Sequence, residues 1–553
     1  MGLIEKFNQF YTSLWFKAIL IIILSSLVYF PVLLAGFIWD DEAVTGNPLL
    51  TTSNGLFKIW MVPRANFHEL HYWPIVYTFF WFEHQLWGNN PFGYHLINIL
   101  LHVFNVVLLW FILRKIAIPG AGVISLIFAL HPVHVESVAW VIERKDVLSG
   151  FFYLASVLAF LNYLNPLGRG ESYRQSKIGT LKFYLSSLIL FICALLSKSI
   201  TVSLPLVILL YLWWKNRRTN KIELISLLPF FISSMIIAYL DIQFVHQRYS
   251  LATLGLTPIQ RVYIAGKSLW FYLEKLIFPI NLLTVYPRWN LAVDLFTQYF
   301  YPLTFLAFLG FLYWGKKYWG RGAFSALTFF AVTLTPTLGF IDFNYMEHSF
   351  VADRFQYLAS IGPIILFGVL INRLYLTAKI NWKPTLRIVG ILLIALLGFL
   401  TWKQAELYDN DETLFRYTIA RNPNAWLAYN NLGLALAERN QKEEAMQYYQ
   451  KALALNPDFA YPYNNLGILL LEEGKTDQAI NHFKQAIQRY PVFAEAQNNL
   501  GVALAHQGKM HEAIPYFQKA LELNPYNTAA KYNLDKVIKE ATFGTDQELK
   551  ATR

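Results

Sequence analysis

Long apolar runs, separated by short polar connections, make up the chain from residue 17 to about residue 402. Many of these runs exceed the roughly 18 apolar residues that predict a helix able to cross a membrane. After residue 402 the long apolar runs stop, and the sequence becomes polar and rich in helix-forming residues. The pattern predicts an all-α protein with a multi-pass transmembrane part followed by a polar helical part.

The polar part repeats with a period of 34 residues. Each unit contains a Leu-Gly pair, an Ala twelve residues after the Gly, an aromatic residue and a closing Pro. The Leu-Gly pairs are Leu432-Gly433, Leu466-Gly467 and Leu500-Gly501. Gly and Ala let two antiparallel helices approach closely, and Pro prevents the second helix from continuing. These features predict three full tetratricopeptide repeats, which stack into an α-solenoid.

The two patterns divide the chain into four regions. We expect a transmembrane domain over residues 1–402, a connector with a half-repeat over 403–424, a repeat domain with a capping helix over 425–541, and a polar tail over 542–553. A mean hydropathy of +0.36 and a hydrophobic content of 56% exclude an ordinary soluble globular protein. The single cysteine, Cys193, excludes a disulfide within the chain and a Cys-based metal site.

The formal net charge of +11 comes largely from basic connections between the apolar runs. In a soluble protein this charge would suggest nucleic acid, but membrane topology explains it here. The positive-inside rule places the basic clusters in the cytoplasm, at residues 114–115, 169–182, 215–221, 316–321 and 373–387. No nucleic acid partner is therefore expected.

Eleven spans satisfy this topology if one apolar segment does not cross the membrane. Residues 260–283 carry Arg261, Lys267, Glu274 and Lys275, so we interpret them as an amphipathic helix lying on the outer surface. An odd number of spans then places the repeats outside. The same count places four connections outside, at residues 39–93, 131–147, 241–297 and 342–353.

Charged residues collect in these outer connections. Asp40, Asp41 and Glu42 follow the first span, and residues 131–146, HPVHVESVAWVIERKD, hold two His, two Glu, one Asp, one Arg and one Lys. Ionisable residues near membrane helices are costly to bury and suggest function. A carboxylate at the membrane surface can act as a general base, while fixed cations stabilise an anionic leaving group. The combination predicts a transfer reaction in which a lipid phosphate departs.

His131 and His134 also suggest zinc. Pro132 disfavours a regular helix between them, however, and no third ligand follows at a characteristic spacing. The sequence identifies no cofactor and leaves a divalent metal open.

Five sequence stretches resemble a known family. They are WDDE after the first span, NPFGYHLINILLH, HPVHVESVAWVIERKD, SKSITVSLPLVILLY and ADRFQYLASIG. Together with the repeats they resemble polytopic C-type (GT-C) membrane glycosyltransferases with C-terminal tetratricopeptide repeats. These are the animal transmembrane-and-TPR O-mannosyltransferases and their bacterial relatives.

The resemblance implies a GT-C fold and an inverting sugar transfer. The sugar, mannose-like, would come from a polyprenyl-phosphate donor, and the acceptor would be a hydroxyl, in particular Ser or Thr of a protein. The expected location is a bacterial inner membrane with the repeats in the periplasm, or an endoplasmic reticulum membrane with lumenal repeats in a eukaryote. Two alternatives are a ligase that transfers a lipid-linked oligosaccharide whole and a non-catalytic membrane scaffold whose repeats recruit partners.

The resemblance also assigns roles to individual residues. The acidic pair of the first outer loop corresponds to Asp40 and Asp41, although Asp41 and Glu42 fit the spacing almost as well. The resemblance implies contact with the donor phosphate for Arg354 and Lys198. From their expected convergence on the same membrane face, we add Arg144 and Lys145 to the phosphate contacts and expect His131, His134, Glu136 and Asp146 in the sugar or acceptor pocket. The chain departs from the family pattern in two places. Ser199 stands where an acid often follows the lysine, and Trp73 precedes Pro74 where an arginine is common.

An Asn pair precedes each Leu-Gly of the repeats, and the second members are Asn431, Asn465 and Asn499. This part of a tetratricopeptide repeat lies along the inner groove. A side-chain amide offers a donor and an acceptor, which matches a peptide backbone. We therefore expect a protein acceptor or partner in the groove, while local contacts between repeats are the alternative role for these amides.

Overall fold

The computed structural model describes residues 14–62, 69, 71–164, 177–215, 221–248 and 254–551. All regular secondary structure in these ranges is helical, which confirms the all-α class. The chain forms two compact units, Met1–Asn410 and Asp411–Arg553. Residue 553 and most of the basic clusters at 169–182 and 215–221 lie outside the described residues.

The first unit contains nineteen described α-helices, which we number in chain order. They are α1 Leu14–Val28, α2 Glu42–Thr45, α3 Pro48–Thr51, α4 Gly55–Met61, α5 Pro74–Trp87, α6 Pro91–Lys115, α7 Ala121–Ala129, α8 Val135–Ala139, α9 Arg144–Leu164, α10 Lys177–Leu195, α11 Leu204–Trp214, α12 Lys221–Ile225, α13 Leu228–Arg248, α14 Pro258–Ile277, α15 Leu295–Trp314, α16 Lys316–Trp319, α17 Gly322–Leu334, α18 Ile361–Thr377 and α19 Lys383–Glu406.

Short 3-10 helices connect several of these elements. They are Phe30–Leu34, Trp39–Asp41, Pro132–His134, Val141–Glu143, Ser199–Ser203, Thr335–Thr337, Asn344–Glu347, Asp353–Gln356 and Ile380–Trp382. Most of the polar residues singled out from the sequence lie on or beside these short helices.

Five helical segments of the described ranges have the length and hydropathy of a membrane span. They are Pro91–Lys115, Val141–Leu164, Glu223–Phe244, Leu295–Trp314 and Ile380–Glu406. A sixth candidate is bent by 53° between Ala129 and Pro132, and five shorter apolar helices accompany them. The multi-pass helical architecture is therefore confirmed, and the count of eleven spans stays a prediction.

The bend follows from proline chemistry. His131 precedes Pro132 and has an extended backbone, with φ −83° and ψ 123°. A residue before proline is disfavoured in the α region because the proline ring clashes with it. The chain therefore breaks its helix at the start of the predicted polar stretch and turns His131 and His134 into the protein.

The predicted amphipathic helix is α14, which ends at Ile277, six residues before the predicted end. Thr257 and Gln260 form a capping box at its start. One face is buried, including Tyr263 and Tyr272, while Val262 is 40% exposed. Its orientation along the membrane surface stays a prediction.

The second unit is a stack of antiparallel helix pairs. Its helices are α20 Asp411–Arg421, α21 Trp426–Glu438, α22 Lys442–Leu455, α23 Ala460–Glu472, α24 Thr476–Arg489, α25 Ala494–His506, α26 Met510–Leu523 and α27 Thr528–Ala551. A Cβ atom built on Gly467 would lie 2.6 Å from the ring of Phe483, which confirms the close packing expected of Gly and the aromatic residue. The predicted solenoid is confirmed.

Candidate active site

Asp41 ties the turn that follows α1 to the polar stretch at residues 131–146. Its Oδ2 accepts a hydrogen bond from the backbone N–H of Ile38 at 2.9 Å, and its Oδ1 accepts one from the backbone N–H of Ile142 at 2.8 Å. The residue is fully buried. Both carboxylate oxygens therefore accept backbone hydrogen bonds. Asp41 thereby fixes the 3-10 helix Trp39–Asp41 against the 3-10 helix Val141–Glu143.

Asp40, the adjacent residue, has different surroundings. Its side chain is exposed, yet the protein around it desolvates the carboxyl and raises its pKa to about 6, against the opposing charges of Lys145 and Arg354. The carboxyl is thus accessible to a substrate, and two cations act on it.

A strained residue sets this geometry. Trp39 has φ +47°, in the left-handed region that non-glycine residues rarely occupy. Its indole stacks on that of Trp140, with ring centroids 4.7 Å apart and planes 14° from parallel. Such strain persists only where surrounding contacts enforce it, and it is concentrated at functional sites. Here it lies immediately before Asp40.

Glu136 holds Arg354 in a fixed position. The Oε1 of Glu136 accepts from Nη1 of Arg354 at 2.5 Å, and its Oε2 accepts from the backbone N–H of Arg354 at 2.9 Å. The guanidinium also lies 4.2 Å from the ring centroid of Tyr345. The structure therefore places Glu136, expected in the sugar pocket, as the partner of the expected phosphate ligand Arg354.

Glu143 joins three cations and was missed by the sequence analysis. One of its oxygens lies 3.4 Å from Nζ of Lys145 and 3.4 Å from Nε of Arg354, and the other lies 3.3 Å from Nζ of Lys198. Glu143 is buried. It stands in the same charged stretch as Lys145 and Asp146, which was the available sequence signal.

Lys198 completes this cluster through Asp146. Its Nζ donates to Oδ1 of Asp146 at 2.5 Å, and the hydroxyl of Ser137 donates to Oδ2 at 3.0 Å. Buried charges are expected to be paired in this way, since an unpaired one is strongly unfavourable. The structure thus brings together three predicted phosphate ligands, Lys145, Lys198 and Arg354.

Arg144 has other partners. It is fully buried and donates to both carboxylate oxygens of Glu83, to the side chain of Asn98, and to the backbone oxygen of Tyr94 at 2.8 Å. These partners lie on α5 and α6. Within the described part of the chain, no recorded contact joins Arg144 to the other three cations.

The two histidines of the polar stretch bond mainly to backbone. His131 Nε2 lies 3.0 Å from the backbone oxygen of Leu276, and His134 Nδ1 lies 2.8 Å from that of Phe128. His134 Nε2 contacts the hydroxyl of Ser360 at 2.9 Å. In the ranges that the structure describes, no group of three His, Cys, Asp or Glu residues could hold a metal ion.

Two indole N–H groups beside the cations have no hydrogen-bond partner among the described residues. They belong to Trp73 and Trp140, which are both buried. Nζ of Lys145 lies 5.1 Å from a ring centroid of Trp73, and the guanidinium of Arg354 lies 5.3 Å from one of Trp140. Buried donors are normally satisfied, so these two are available to a ligand.

In the second unit the Asn pairs bond to one another. Asn465 Nδ2 donates to Asn430 Oδ1 at 3.2 Å, and Asn499 Nδ2 donates to Asn464 Oδ1 at 2.9 Å. Within the first pair, Asn430 Nδ2 donates to Asn431 Oδ1 at 3.0 Å. The amides expected to bind peptide thus already form a ladder between repeats, and each retains only part of its hydrogen-bonding capacity.

Comparison with known proteins supports both parts of the chain. The tetratricopeptide repeat family matches residues 426–459 and 464–528. A solved structure, the Arabidopsis OM64 TPR domain, is 27% identical and covers 22% of this chain and 98% of that chain, with a TM-score of 0.21. The family matches in the second unit and the long apolar helices of the first make the chain a multi-pass helical protein with C-terminal tetratricopeptide repeats.

The curated relatives extend over the membrane part as well. Protein O-mannosyl-transferase Tmtc3 of Drosophila melanogaster is 24% identical over 76% of this chain and 53% of that protein. Protein O-mannosyl-transferase TMTC1 of Homo sapiens is 26% identical over 78% of this chain and 54% of that protein. The resemblance predicted from the motifs is confirmed, and the chain spans about half the length of these curated relatives.

Proposed function

We propose that this protein is an inverting membrane glycosyltransferase. It transfers a mannose-like sugar from a polyprenyl-phosphate donor to a hydroxyl acceptor, Ser or Thr of a protein. The observation that carries the proposal is the exposed carboxyl of Asp40, on which the charges of Lys145 and Arg354 act. The similarity to proteins named protein O-mannosyl-transferases supports the same chemistry.

Asp40 serves as the general base. The acceptor hydroxyl gives its proton to Asp40 and attacks C1 of the sugar, while the bond from C1 to the phosphate oxygen breaks and its electron pair stays on the phosphate. A single displacement of this kind inverts the configuration at C1. Asp41 is the weaker candidate because both of its oxygens already accept backbone hydrogen bonds.

Lys145 and Arg354 bind the departing phosphate. Charge-assisted hydrogen bonds to phosphate are stronger than neutral ones, and fixed cations stabilise charge as it develops. The unpartnered indole N–H groups of Trp73 and Trp140 supply further donors beside these cations. Lys198 contributes indirectly, because its ammonium group pairs with Asp146 and Glu143.

The proposal also includes a location and an acceptor site. The distribution of basic connections favours the outer face of the membrane for both Asp40 and the repeats, in a bacterial periplasm. A protein acceptor would then bind in the repeat groove. Supporting this, the first amide of the Asn ladder, Asn431, has an Nδ2 with no hydrogen bond among the described residues.

The test is a donor screen with purified protein in lipid nanodiscs. Polyprenyl-phosphate mannose, polyprenyl-phosphate glucose and a lipid-linked oligosaccharide are each offered with a Ser/Thr-containing protein, and products are measured by mass. Transfer of one hexose, with an inverted anomeric bond by NMR, is the expected result. Transfer of a whole oligosaccharide, or no product with any donor, would overturn the proposal.

A further inference from the structure

Three separate segments meet at a histidine outside the cluster described above. His71 lies between α4 and α5, Asp241 lies on α13, and Ser199 begins the 3-10 helix after α10. Nδ1 of His71 is 2.8 Å from Oδ1 of Asp241, and the hydroxyl of Ser199 donates to Oδ2 of Asp241 at 2.6 Å. Both carboxylate oxygens of Asp241 are thereby used to orient neighbouring side chains.

This arrangement orients the imidazole of His71. The carboxylate of Asp241 accepts a hydrogen bond from Nδ1–H, which fixes the position of the ring. Among the described residues nothing bonds to Nε2, and the side chain is 26% exposed. The second ring nitrogen is therefore accessible to a ligand.

The imidazole lies beside the candidate active site. It stacks on Trp73, with centroids 4.3 Å apart and planes 5° from parallel, and Nζ of Lys145 lies 5.1 Å from the same indole. Glu69 accepts the backbone N–H of His71 at 3.3 Å, and its charge acts on both Asp40 and Lys145. The imidazole of His71 thus shares the Trp73 indole with Lys145, one of the two cations that act on Asp40.

Asp241 also resolves a departure from the family pattern. An acid was expected directly after Lys198, and the chain has Ser199 there. The structure shows that Ser199 bonds to Asp241, so a carboxylate from α13 reaches this turn. A purely structural tie between the turn and α13 would need only Ser199 and Asp241. It does not account for a partly exposed imidazole on the same carboxylate.

We propose that His71, held by Asp241, is a further catalytic residue that acts on the phosphate of the donor. As the bond from C1 to the phosphate oxygen breaks, the His71 imidazolium gives its Nε2 proton to that phosphate. The acceptor proton goes to Asp40, so the products are the glycosylated acceptor, a protonated polyprenyl phosphate, neutral His71 and protonated Asp40. The inference rests on the proposed function and adds the acid that complements its base.

The pH profile of sugar transfer tests this role. Because His71 must be protonated, kcat/KM should fall at high pH in the wild-type protein. Among the described residues, the charged groups that face the imidazole are Asp241 on α13, Glu69 on its own segment, and Lys145 on α9 beyond Trp73. Asp241→Asn removes the carboxylate that holds the ring through Nδ1, so kcat should fall in this variant as well.

Replacement of His71 gives the sharper measurement. His71→Ala should lower kcat about 100-fold, in the range of a lost general acid, and should abolish the high-pH limb. Added imidazole should restore part of the rate. The matched control is His84→Ala, on α5, because the structure records no carboxylate partner for His84. This control should leave the profile unchanged.

The outcomes separate the inference from the function on which it rests. An unchanged rate and profile in His71→Ala, with wild-type transfer intact, would overturn the inference alone. A lower rate with a lower melting temperature, an unchanged high-pH limb and no rescue by imidazole would assign His71 a structural role and overturn it as well. A wild-type protein that transfers no sugar from any polyprenyl-phosphate donor would overturn the proposed function and the inference together.

Discussion

Arg354 donates to Glu136 twice, from its backbone N–H at 2.9 Å and from its guanidinium at 2.5 Å. The two residues are 218 positions apart in the chain. The pairing orients the guanidinium between Tyr345 and Glu143. A lysine at this position would offer a point charge and could not reproduce the planar contacts.

Arg354→Lys should therefore lower sugar transfer by roughly 100- to 1000-fold, the cost of a lost transition-state donor. The physical reason is the loss of the fixed fork geometry with the charge retained. Turnover is measured at saturating donor, with melting temperature as the control for folding. Wild-type turnover in this variant would show that Arg354 does not contact the phosphate.

Asp40 and Asp41 should respond differently to the same substitution. The side-chain nitrogen of Asn cannot accept a hydrogen bond, so Asp41→Asn loses one of the two backbone hydrogen bonds that Asp41 accepts. The substitution should therefore destabilise the protein by about 1–3 kcal/mol. Asp40→Asn should not destabilise it at pH 7.5. The folded-state pKa of Asp40, about 6, lies above its ordinary value of 3.8, so its ionisation above pH 6 opposes folding. Thermal unfolding in detergent measures both variants, and a larger loss in Asp40→Asn would contradict the assignment.

The pH dependence of transfer follows from the same group. A general base must be ionised, so kcat/KM should decline as pH falls through about 6. Lys145 is the largest of the charges that lower this pKa, so Lys145→Met should move the acidic limb to higher pH. Lys403→Met removes an exposed lysine paired with Glu406 and serves as the control. An acidic limb that does not move in Lys145→Met would show that Lys145 does not lower the pKa of Asp40.

The Asn ladder predicts a stability effect in the repeats. Asn465→Ala removes the donor to Asn430 and the acceptor for Asn464, so it should destabilise the second unit by about 1–2 kcal/mol. Asn481→Ala, an exposed residue of α24, is the control. Unfolding of the full chain is followed alongside transfer to a protein and to a short peptide.

The acceptor comparison then separates two roles for the amides. The triple substitution of Asn431, Asn465 and Asn499 by Ala should reduce transfer to the protein acceptor and spare the peptide if the groove binds the acceptor. Equal loss with both acceptors would assign the amides to the repeat structure alone.

Local patterns were sufficient to predict the repeats and the break at Pro132. A 34-residue period requires only neighbouring units to pack, and the Gly467–Phe483 contact spans a single repeat. The convergence of Lys145, Lys198 and Arg354 was expected because the predicted topology places all three on one side of the membrane. These are the features for which sequence spacing or topology directly implies proximity.

Other features depend on contacts between distant segments, which spacing does not reveal. Arg144 is adjacent to Lys145 but pairs with Glu83, 61 positions earlier. Glu143 meets Lys198 across 55 positions, and His71 meets Asp241 across 170. The Asn amides bond across repeats because each has donors and acceptors that match those of its neighbour.

The most direct test of the account is sugar transfer by Asp40→Asn beside Glu42→Gln and the wild-type protein, in the same nanodiscs with polyprenyl-phosphate mannose. Glu42 is the exposed acid two positions away, at the start of α2. We expect loss of transfer in Asp40→Asn, with folding and donor binding retained, and near wild-type transfer in Glu42→Gln. Full transfer by Asp40→Asn would contradict the assignment of Asp40 as the base.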